Sequence, residues 1–575
     1  MKKLMLSVVA AVGAAFTSAA ANLYVSKAGA DHPQYGTGYT DIQTALNASA
    51  KGDTVWVEDG FVCDSGIGMD TTFSYGNFNN NFKSVAGCWS NRLHLCKSVT
   101  LRSVSGTLEN PVVVKGGFSD PANHVTNGPN SVRCMMVTRT DAADEKMVVK
   151  GFKFTGGAST TLGNYRVRPG GGVCMPYDIN NKADTAPVFE NCCFDGNAAY
   201  TDGGGVSGWC YLTNCIVVNN LALGNGGGVS GASCYRTLIA TNAAVYGAGG
   251  QNGNYTKCTI TRNCKTGNGG RGSGIYWTAG ENTAFFCRKC DITYNFAARN
   301  YHIGAVGLFN TTAVTIQPLI DDCNIIGNTG GTTGGAISNC RVVNSRIIGN
   351  TGVGSVIVNC EMTGCTIMYN TNSIAYDQGA LILADARYHR GKMVNCLIAR
   401  NTDYEGYNCT GAYVGGDIDL YNCTIADNTW IPKKGNRYGG YGISNANLVN
   451  TVADCQITDI FPTYASLAKP IDVTFAADNS CFATNAVALA ITDGANNVFG
   501  DPRLRSSSRP GVYERYAPGP TSICRGAGLT GFDYMSADDP DTKGLDLAKR
   551  PRLTDGTVDI GAYQYSSLGL SVRLR

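Results

Sequence analysis

The sequence has few charges and no long apolar run beyond its first residues. Only 15% of its 575 residues are charged, and 46 Lys and Arg nearly balance 43 Asp and Glu, for a formal net charge of +3. That balance is not typical of proteins that bind nucleic acid or anionic membranes. No stretch after the N-terminal region is long and apolar enough for a membrane helix. We therefore expect no nucleic-acid partner and no transmembrane helix.

The first 21 residues have the layout of a targeting segment. Met1-Lys2-Lys3 is followed by an apolar run over 4–16 and by small residues at 19–21. The run is too short to span a bilayer, and the order basic, apolar, small is typical of a secretory signal peptide. We assign residues 1–21 to a signal peptide and expect an exported protein, extracellular or on the cell surface.

A short phrase, Cys-x-Ile-x-x-Asn, recurs through the rest of the chain. Its starts are 20 to 23 residues apart, or 27 to 33 where a turn carries an insertion. Repeats of this length indicate a solenoid. Clear copies start at Cys192, Cys215, Cys258, Cys290, Cys323, Cys365, Cys396 and Cys423, and degenerate copies start at Thr237, Ser345 and Cys455.

The phrase predicts a short strand followed by a corner. The two-residue offset between Cys and Ile places both side chains on one strand face. Asn tolerates left-handed backbone angles and so suits the corner. Gly-Gly pairs such as Gly204-Gly205 and Gly227-Gly228 precede a further apolar residue, which begins another strand. Two or three strands in about 22 residues describe one coil of a parallel β-helix, with coils stacked about 4.8 Å apart.

Cysteine is abundant, and its placement favours buried thiols. Of 24 cysteines, nine occupy the repeated position, where we expect an internal ladder of free thiols. Cys340 and Cys360 are better disulfide candidates, each five residues before its phrase and one coil apart. Cys287 and Cys290 have a zinc-like spacing without a second pair or a His cluster, so we expect no metal site. The nine ladder residues are Cys192, Cys215, Cys258, Cys290, Cys323, Cys365, Cys396, Cys423 and Cys455.

Residues 22–150 are predicted to form an N-terminal cap and the first coils. A strand at 23–25 precedes an amphipathic helix at 42–46, with Thr40 or Asp41 as its N-cap, and a turn and strand at 51–57. The order Y-V, D-I-Q-T-A-L, G-D-T-V-W-V resembles the opening of many secreted right-handed β-helix proteins of the pectin-lyase-like superfamily. A helix at this end would shield the first coil from edge-to-edge pairing.

Two further resemblances follow along the chain. In the repeat region, 151–500, Gly-Gly-Ala-Ile at 334–337 and Phe-Asp-Gly-Asn at 194–197 resemble the repeats of polymorphic outer-membrane proteins. In the segment 501–565, Asp-Gly-Thr-Val-Asp-Ile-Gly-Ala-Tyr at 555–563 resembles the choice-of-anchor Q domain, although Gln564 stands where that family usually has Glu. A tail follows at 566–575. The fold class is all-β: a right-handed parallel β-helix solenoid with an N-terminal helical cap and a C-terminal capping module.

Longer coils carry insertions that are rich in aromatic and basic residues. They lie around 264–289, 296–320, 376–392 and 430–445. Loops on a rigid scaffold commonly carry binding function, but such residues can equally cover the flank of the helix. The aromatic and basic residues in them include Tyr276, Trp277, Tyr301, His302, Tyr388, His389, Arg390, Trp430, Arg437 and Tyr438.

No complete catalytic set is present. A glycoside hydrolase needs two carboxylates across a groove, and the one adjacent pair within the repeats is Asp321-Asp322. The polygalacturonase-like pattern places Asn-Thr-Asp before the pair, whereas here it follows, at 401–403, and none of the five histidines lies in a Gly-His-Gly. The hydrolase is therefore the less favoured enzymatic alternative.

A polysaccharide lyase is the stronger enzymatic alternative, with Arg387, Tyr388, His389 and Arg390 as candidate catalytic residues. A lyase needs a base and a cation that neutralises the uronate carboxylate, so calcium enters only under this alternative. The leading hypothesis remains a non-enzymatic protein that presents an elongated face for adhesion or glycan contact, with extracellular polysaccharide or a host or matrix surface as partner. A structural sheath component is the third hypothesis. We expect no cofactor under the leading hypothesis.

Overall fold

The structure is a computed structural model of the chain. It describes residues 20–66, 90–120, 126–128, 130–138, 146–161, 169–175, 186–266, 272–278, 284–297, 304–309, 317–330, 335–372, 380–384, 391–404, 412–416, 418–431, 446–454, 475–482, 491–505, 516–531, 534, 540 and 542–565. The predicted signal peptide lies outside the described residues except for its last two positions.

Within the described residues, nearly all regular structure is β, in three long sheets and two short ones, and the strand counts below refer to these residues. Through most of the stack, each coil passes from sheet 3 to sheet 1 and then to sheet 2, and in part of the stack through a short sheet. The last described coils have strands in sheets 1 and 2 only. One coil runs through Val206–Ser207, Tyr211–Thr213, Ile216–Val218 and Leu221–Ala222. Each strand pairs in parallel with its equivalent in the next coil. This is a parallel β-helix, as the repeat predicts.

Sheet 1 has 18 strands: Asn22–Val25, Thr37–Tyr39, Thr54–Val57, Thr100–Ser103, Val148–Lys150, Val188–Glu190, Tyr211–Thr213, Ser233–Tyr235, Tyr255–Thr256, Phe286–Arg288, Leu319–Asp321, Arg341–Val343, Glu361–Thr363, Gly391–Val394, Ile418–Tyr421, Ala446–Val449, Phe475–Asp478 and Ile491–Asp493. Sheet 2 has 16 strands: Val62–Cys63, Val112–Lys115, Phe152–Thr155, Cys193–Asp195, Ile216–Val218, Leu238–Ala240, Thr259–Thr261, Asp291–Thr293, Asn324–Ile326, Arg346–Ile348, Thr366–Met368, Leu397–Ala399, Thr424–Ala426, Val452–Asp454, Cys481–Phe482 and Val498–Phe499.

Sheet 3 has 12 strands: Asn91–Leu95, Arg133–Val137, Val173–Cys174, Val206–Ser207, Val229–Ser230, Gly250–Gln251, Ile275–Thr278, Val306–Phe309, Ile337–Ser338, Ile357–Val358, Ala380–Ala384 and Ala412–Gly416. The two short sheets have four strands each: Ala198–Ala199, Leu221–Ala222, Ala243–Ala244 and Cys264–Lys265, and then Thr351–Gly352, Thr371–Asn372, Thr402–Tyr404 and Thr429–Ile431.

In the part of the chain that the structure describes, one helix, Ile42–Ala48, packs against the first strands. Asp41 is its N-cap, and the carboxylate accepts a hydrogen bond from the Thr44 amide at 2.7 Å. Ile42, Ala45 and Leu46 are buried, so the amphipathic pattern of the sequence places the apolar face on the first coils. The structure confirms the predicted helix, and of the two predicted N-cap residues, Thr40 and Asp41, it is Asp41 that caps it.

The asparagine that ends the phrase does not itself take the left-handed conformation expected of it. The residue before it does: Asn219, Arg262 and Tyr294 have φ between 53° and 56°. The buried Asn side chains instead form a ladder between coils. For example, the Asn220 Oδ1 accepts from the Asn197 amide at 3.0 Å, and the Asn220 Nδ2 donates to the Phe194 carbonyl at 2.9 Å. Asn suits this position because its side chain accepts through Oδ1 from one neighbouring coil and donates through Nδ2 to the carbonyl of Phe194, as at Asn220.

The C-terminal segment lies along the side of the stack and covers part of the outer face of sheet 2. Tyr516, Ala517, Ala562 and Tyr563 form a buried cluster with the outward side chains of sheet 2 strands, Met368, Leu397, Ala399 and Ala426. Cys524 and Ile560 pack in the same way on Val452 and Cys481. The Asp-Ile-Gly-Ala-Tyr stretch at 559–563 supplies much of this contact. Residues 516–531 and 542–565, with Tyr534, are called the C-terminal module below.

Candidate functional site

The residues proposed from sequence fall in different parts of the chain. The candidate lyase residues Arg387, Tyr388, His389 and Arg390 lie outside the described residues, as does Cys455. The other eight cysteines of the predicted ladder are each at most 2% exposed, at the corner between sheets 1 and 2. The structure brings them into one internal column, because the residues that follow them pair coil to coil in register.

The side chain in this column must be small enough to be buried, and it must also donate a hydrogen bond. The Cys215 thiol donates to the carbonyls of Phe189 and Thr213 at 3.3 and 3.4 Å. Thr237 makes the same pair of bonds with its hydroxyl, at 3.3 and 3.2 Å. The coil after Cys423 places Thr451 at this position, since Val452 pairs with Thr424. The degenerate copies at Thr237 and Ser345 are therefore members of the column, and Thr451 stands at the position predicted for Cys455.

The proposed disulfide partners are both held as thiols. The Cys340 thiol donates to the Ser338 carbonyl at 3.2 Å, and the Cys360 thiol donates to the Val358 carbonyl at 3.3 Å. Both residues are buried. Burial raises the pKa of Cys360 to about 12, which keeps this thiol protonated at neutral pH.

Trp277 and Tyr276, which the sequence analysis placed among possible binding residues, are buried. The Trp277 ring is fully buried, and its Nε1 donates to the Gly253 carbonyl at 2.9 Å. Tyr276 is 4% exposed. Trp277 belongs to the core, and neither side chain of this pair is exposed for contact with a ligand. The side chains of the other aromatic and basic residues named for the long coils lie outside the described residues.

A second column of residues, immediately before the cysteine column, has an unusual composition. Each of these corner residues has φ between 45° and 62°, the left-handed region that favours Gly and Asn. Most coils accordingly place Asn or Gly there. The members of this corner column are Asn191, Asn214, Arg236, Lys257, Lys289, Asp322, Asn344, Gly364, Asn395, Asn422, Asn450 and Asn479.

Three successive coils place a basic residue at this corner. Arg236, Lys257 and Lys289 have φ of 49°, 54° and 53°, and all three are exposed. A left-handed conformation costs a residue with a Cβ about 1 kcal/mol, and Asn in neighbouring coils avoids much of this cost. Backbone strain retained at exposed positions is more typical of a functional surface than of a folding requirement.

Aromatic and polar side chains of sheet 1 lie beside these corners. The Arg236 guanidinium lies 5.1 Å from the centre of the Tyr235 ring, and the Lys257 Nζ lies 5.7 Å from the same ring. The Arg288 guanidinium lies 4.9 Å from the Phe286 ring. The three basic corners, Arg288 and the two rings are called the basic strip below: Arg236, Lys257, Lys289, Arg288, Tyr235 and Phe286.

The charge of the basic strip is only partly compensated. In the part of the chain that the structure describes, Arg236, Lys257 and Lys289 have no carboxylate within 4.0 Å. Arg288 lies 3.9 Å from the Asp321 carboxylate, and burial raises the pKa of Asp321 in spite of Arg288. Since the whole chain has a formal charge of only +3, the strip is a local concentration of positive charge.

The described residues do not bring a pair of carboxylates across a groove. Asp321 ends a strand of sheet 1 and Asp322 follows it at the corner, with φ of 52°, so the two carboxylates follow one another along the surface of one coil. The sequence does contain the signal for the basic strip, in the residue immediately before each Cys of the phrase. The strip matches no catalytic motif, and its signal is the replacement of the usual Asn or Gly by Arg or Lys in three successive copies of the phrase.

A scan against protein-family models finds no match, and a search of curated proteins also finds none. Among solved structures, the chain is similar to the A-module of mannuronan C-5 epimerase AlgE4 from Azotobacter vinelandii, with 14% identity and a TM-score of 0.32, over 73% of this chain and 100% of that one. It is similar to pectate lyase Pel9A, with 12% identity and a TM-score of 0.31, over 95% and 97%.

A third similar structure is a tailspike protein mutant of E. coli bacteriophage HK620 in complex with pentasaccharide, with 14% identity and a TM-score of 0.28, over 83% and 78%. These values are too low to bear on activity. The assignment to the parallel β-helix rests on the sheets described above. In the described residues, no helix is long and apolar enough to cross a membrane.

Proposed function

We propose that the protein is an exported, non-enzymatic β-helix that binds an acidic polysaccharide along the basic strip. The main supporting observation is that three successive coils place Arg236, Lys257 and Lys289 in left-handed corners, where most other coils have Asn or Gly. The stack spaces these charges about one strand separation, 4.8 Å, apart. A row of regularly spaced cations on a rigid surface is complementary to a polymer with regularly spaced anions.

The rings of the strip support a sugar ligand over a simple anion. Tyr235 and Phe286 are half-buried on the outer face of sheet 1, one on each side of the Lys257 coil. Aromatic rings present an apolar face on which the C–H face of a sugar ring can pack. Export follows from the signal peptide assigned to residues 1–21, which remains a prediction from sequence.

The proposal is tested by measuring binding of the purified protein to a polyuronate, a sulfated glycan and a neutral glucan. The decisive variant carries Arg236→Asn, Lys257→Asn and Lys289→Asn together. Because Asn occupies the same corner in other coils, this variant keeps the fold while it removes three charges. We expect at least a tenfold loss of affinity for the acidic polymer, and wild-type binding that weakens as salt is raised.

Lys543→Asn is the matched control, because Lys543 is also exposed and has φ of 54° but lies in the C-terminal module. It should bind like the wild type. Equal affinity of the triple variant and the wild type, or preference for the neutral glucan, would contradict the proposal. Release of unsaturated oligosaccharides that stops on substitution of Tyr388 and His389 would establish the lyase instead. Self-association without any glycan affinity would favour the sheath component.

A further inference from the structure

Three buried thiols meet inside the stack where sheets 1 and 2 join. The sulfur atoms of Cys287, Cys290 and Cys323 all lie within 4.8 Å of one another, and those of Cys287 and Cys323 are 3.9 Å apart. All three side chains are at most 1% exposed. The sequence shows only the Cys287 and Cys290 pair, because the third thiol comes from the next coil.

The three thiols come together at one level of the stack because of where the fold places each cysteine. Cys287 lies at the inward position of a sheet 1 strand, and Cys290 lies three residues later in the cysteine column. The inward positions equivalent to Cys287 in the two coils before it and in the next coil hold Cys234, Tyr255 and Ile320. Cys234 is the informative comparison: three residues after it, the column has Thr237 instead of a cysteine. The triad therefore needs Cys at the inward sheet 1 position together with Cys in the column of the same coil and of the next coil.

The surroundings favour thiolate ligands. The Cys290 sulfur accepts a hydrogen bond from the Cys258 amide at 3.3 Å, and the Cys323 sulfur accepts one from the Cys290 amide at 3.5 Å. Backbone N–H groups that bond to sulfur orient a thiolate and stabilise its charge, as outer-shell groups do in metal sites.

We propose that Cys287, Cys290 and Cys323 form a buried three-thiolate site for a single Cu(I) ion. Soft thiolate ligands select Cu(I), zinc or iron–sulfur clusters. A structural zinc site takes four protein ligands, and in the described residues these three sulfur atoms are the group of possible metal ligands that all lie within 4.8 Å of one another. Cu(I) accepts three thiolates in a plane. Binding breaks up to three S–H bonds and forms three Cu–S bonds, with the protons released to solvent and with no change in oxidation state.

The test uses the full-length reduced protein, titrated anaerobically with Cu(I) in competition with a chromophoric Cu(I) chelator, both in the folded state and during refolding. We expect one tightly bound equivalent and its ultraviolet thiolate-to-copper charge-transfer band. Cys290→Thr should abolish this equivalent, and so should Cys323→Ser. Both replacements are side chains that the column already holds, at Thr237 and Ser345, so the variants should keep the fold.

Cys234→Ser is the control, because Cys234 occupies the same position on its coil as Cys287 but belongs to no triad. The Cys234→Ser variant should still bind one Cu(I) ion per chain. Copper binding that is absent under both loading conditions, or that is unchanged in Cys290→Thr and Cys323→Ser, would overturn the proposal. A Cys287–Cys323 disulfide found by peptide mass spectrometry in protein purified without reductant would also overturn it. Glycan binding by the wild type is measured separately, so failure of one proposal does not decide the other.

Discussion

The corner column between sheets 1 and 2 serves two purposes in two parts of the molecule. In the later coils, its Asn side chains hold the C-terminal module: the Asn395 Nδ2 donates to the Leu545 carbonyl at 2.7 Å, and the Asn450 Nδ2 donates to the Leu529 carbonyl at 2.9 Å. In the earlier coils, Arg236, Lys257 and Lys289 take the same backbone position and are exposed. The same coil geometry thus supports docking in one half and an open basic surface in the other.

The outer face of sheet 2 differs in the same way. Under the C-terminal module its outward residues are apolar, as at Leu397 and Ala399, which are fully buried. In the uncovered coils several are polar, as at Thr259, Asp291 and Asn324, although Ile216 and Leu238 are apolar. The inward residues are alike in both halves, because every coil must fill the same core. The function of a coil is therefore decided by its outward and corner residues.

The largest effect is expected where the C-terminal module meets the stack. Arg552 is fully buried and donates to the Asn395 Oδ1 at 2.8 Å, to the Ala562 carbonyl at 3.0 Å and to the Gly561 carbonyl. Burial lowers its pKa to about 10, so it remains charged at neutral pH. Arg552→Ala leaves these acceptors buried and unpaired, and we expect it to lower the free energy of unfolding by about 3 kcal/mol or more.

Denaturant unfolding followed by circular dichroism measures this change. Arg525→Ala is the control, since Arg525 belongs to the same module but is exposed and contacts the Tyr565 ring, so it should cost no more than about 1 kcal/mol. Equal losses in the two variants would mean that the module does not depend on its buried arginine.

Exchanging the corner residues between the two halves tests the comparison directly. Asn450→Lys removes two hydrogen bonds with the Leu529 backbone, one in each direction, and should cost about 1–3 kcal/mol. Lys257→Asn removes no hydrogen bond within the described residues and relieves a left-handed lysine, so it should be neutral or stabilising by up to about 1 kcal/mol. Thermal unfolding of both variants measures whether the corner residue contributes to stability in the covered half only. Similar destabilisation by Asn450→Lys and Lys257→Asn would refute this difference.

Inside the stack, the open half contains a buried lysine. Lys265 is 2% exposed, its Nζ has no hydrogen-bond partner among the described residues, and burial lowers its pKa to about 8. Its position in the preceding coils holds Ala199, Ala222 and Ala244. Lys265→Ala should therefore stabilise the protein at pH 7 by roughly 1–2 kcal/mol.

The sign of the pH dependence is fixed by the lowered pKa. The folded state binds the Lys265 proton less tightly than the unfolded state, so this destabilisation is present below about pH 8 and fades as the pH rises toward the unfolded value near 10.4. The gain from Lys265→Ala should accordingly shrink between pH 8 and pH 10. Urea midpoints across this range measure it, and a gain independent of pH would exclude an electrostatic origin.

The smallest effect is expected in the covered half, at Asp403. This buried carboxyl accepts a hydrogen bond from the Asn372 Nδ2 at 2.7 Å, and its Oδ2 has no partner within the described ranges. Burial raises its pKa well above the ordinary value. Because the folded state binds the proton more tightly, stability falls as the pH rises from about 3.9 through the folded pKa. Asp403→Asn should raise the melting temperature at pH 7, with a gain below about 1 kcal/mol.

That gain should disappear near pH 3.5, where Asp403 is protonated in both folded and unfolded states. Asn372→Ala is the companion variant, since it removes the one donor to Asp403 that the structure describes. It should destabilise at both pH values. If the Asp403→Asn variant still has a higher melting temperature than the wild type at pH 3.5, the stabilisation comes from the fit of the side chain and not from removal of a charge.

Much of the fold could be predicted from sequence because it depends on local periodicity. The spacing of the phrase gave the coil length, and the Asp41 cap with its apolar pattern gave the one helix. The left-handed corner was predicted at the Asn, whereas it lies at the residue before it, since the sequence pattern marks a bend without identifying which residue takes the positive φ. The basic residues of the strip stand in the sequence just before the phrase, but they can be recognised as one strip only when the position of the left-handed corner is known.

The sequence by itself determined that this chain forms a stack of parallel coils with a small hydrogen-bonding residue at each inner corner, because those choices are made within about 22 residues. Tertiary structure alone decided that Cys323 joins Cys287 and Cys290, and that the C-terminal module covers the side of sheet 2 in the later coils. These contacts join residues that are 33 or more than 100 positions apart. Their geometry follows from how coils stack and where a chain end returns, which no local pattern specifies.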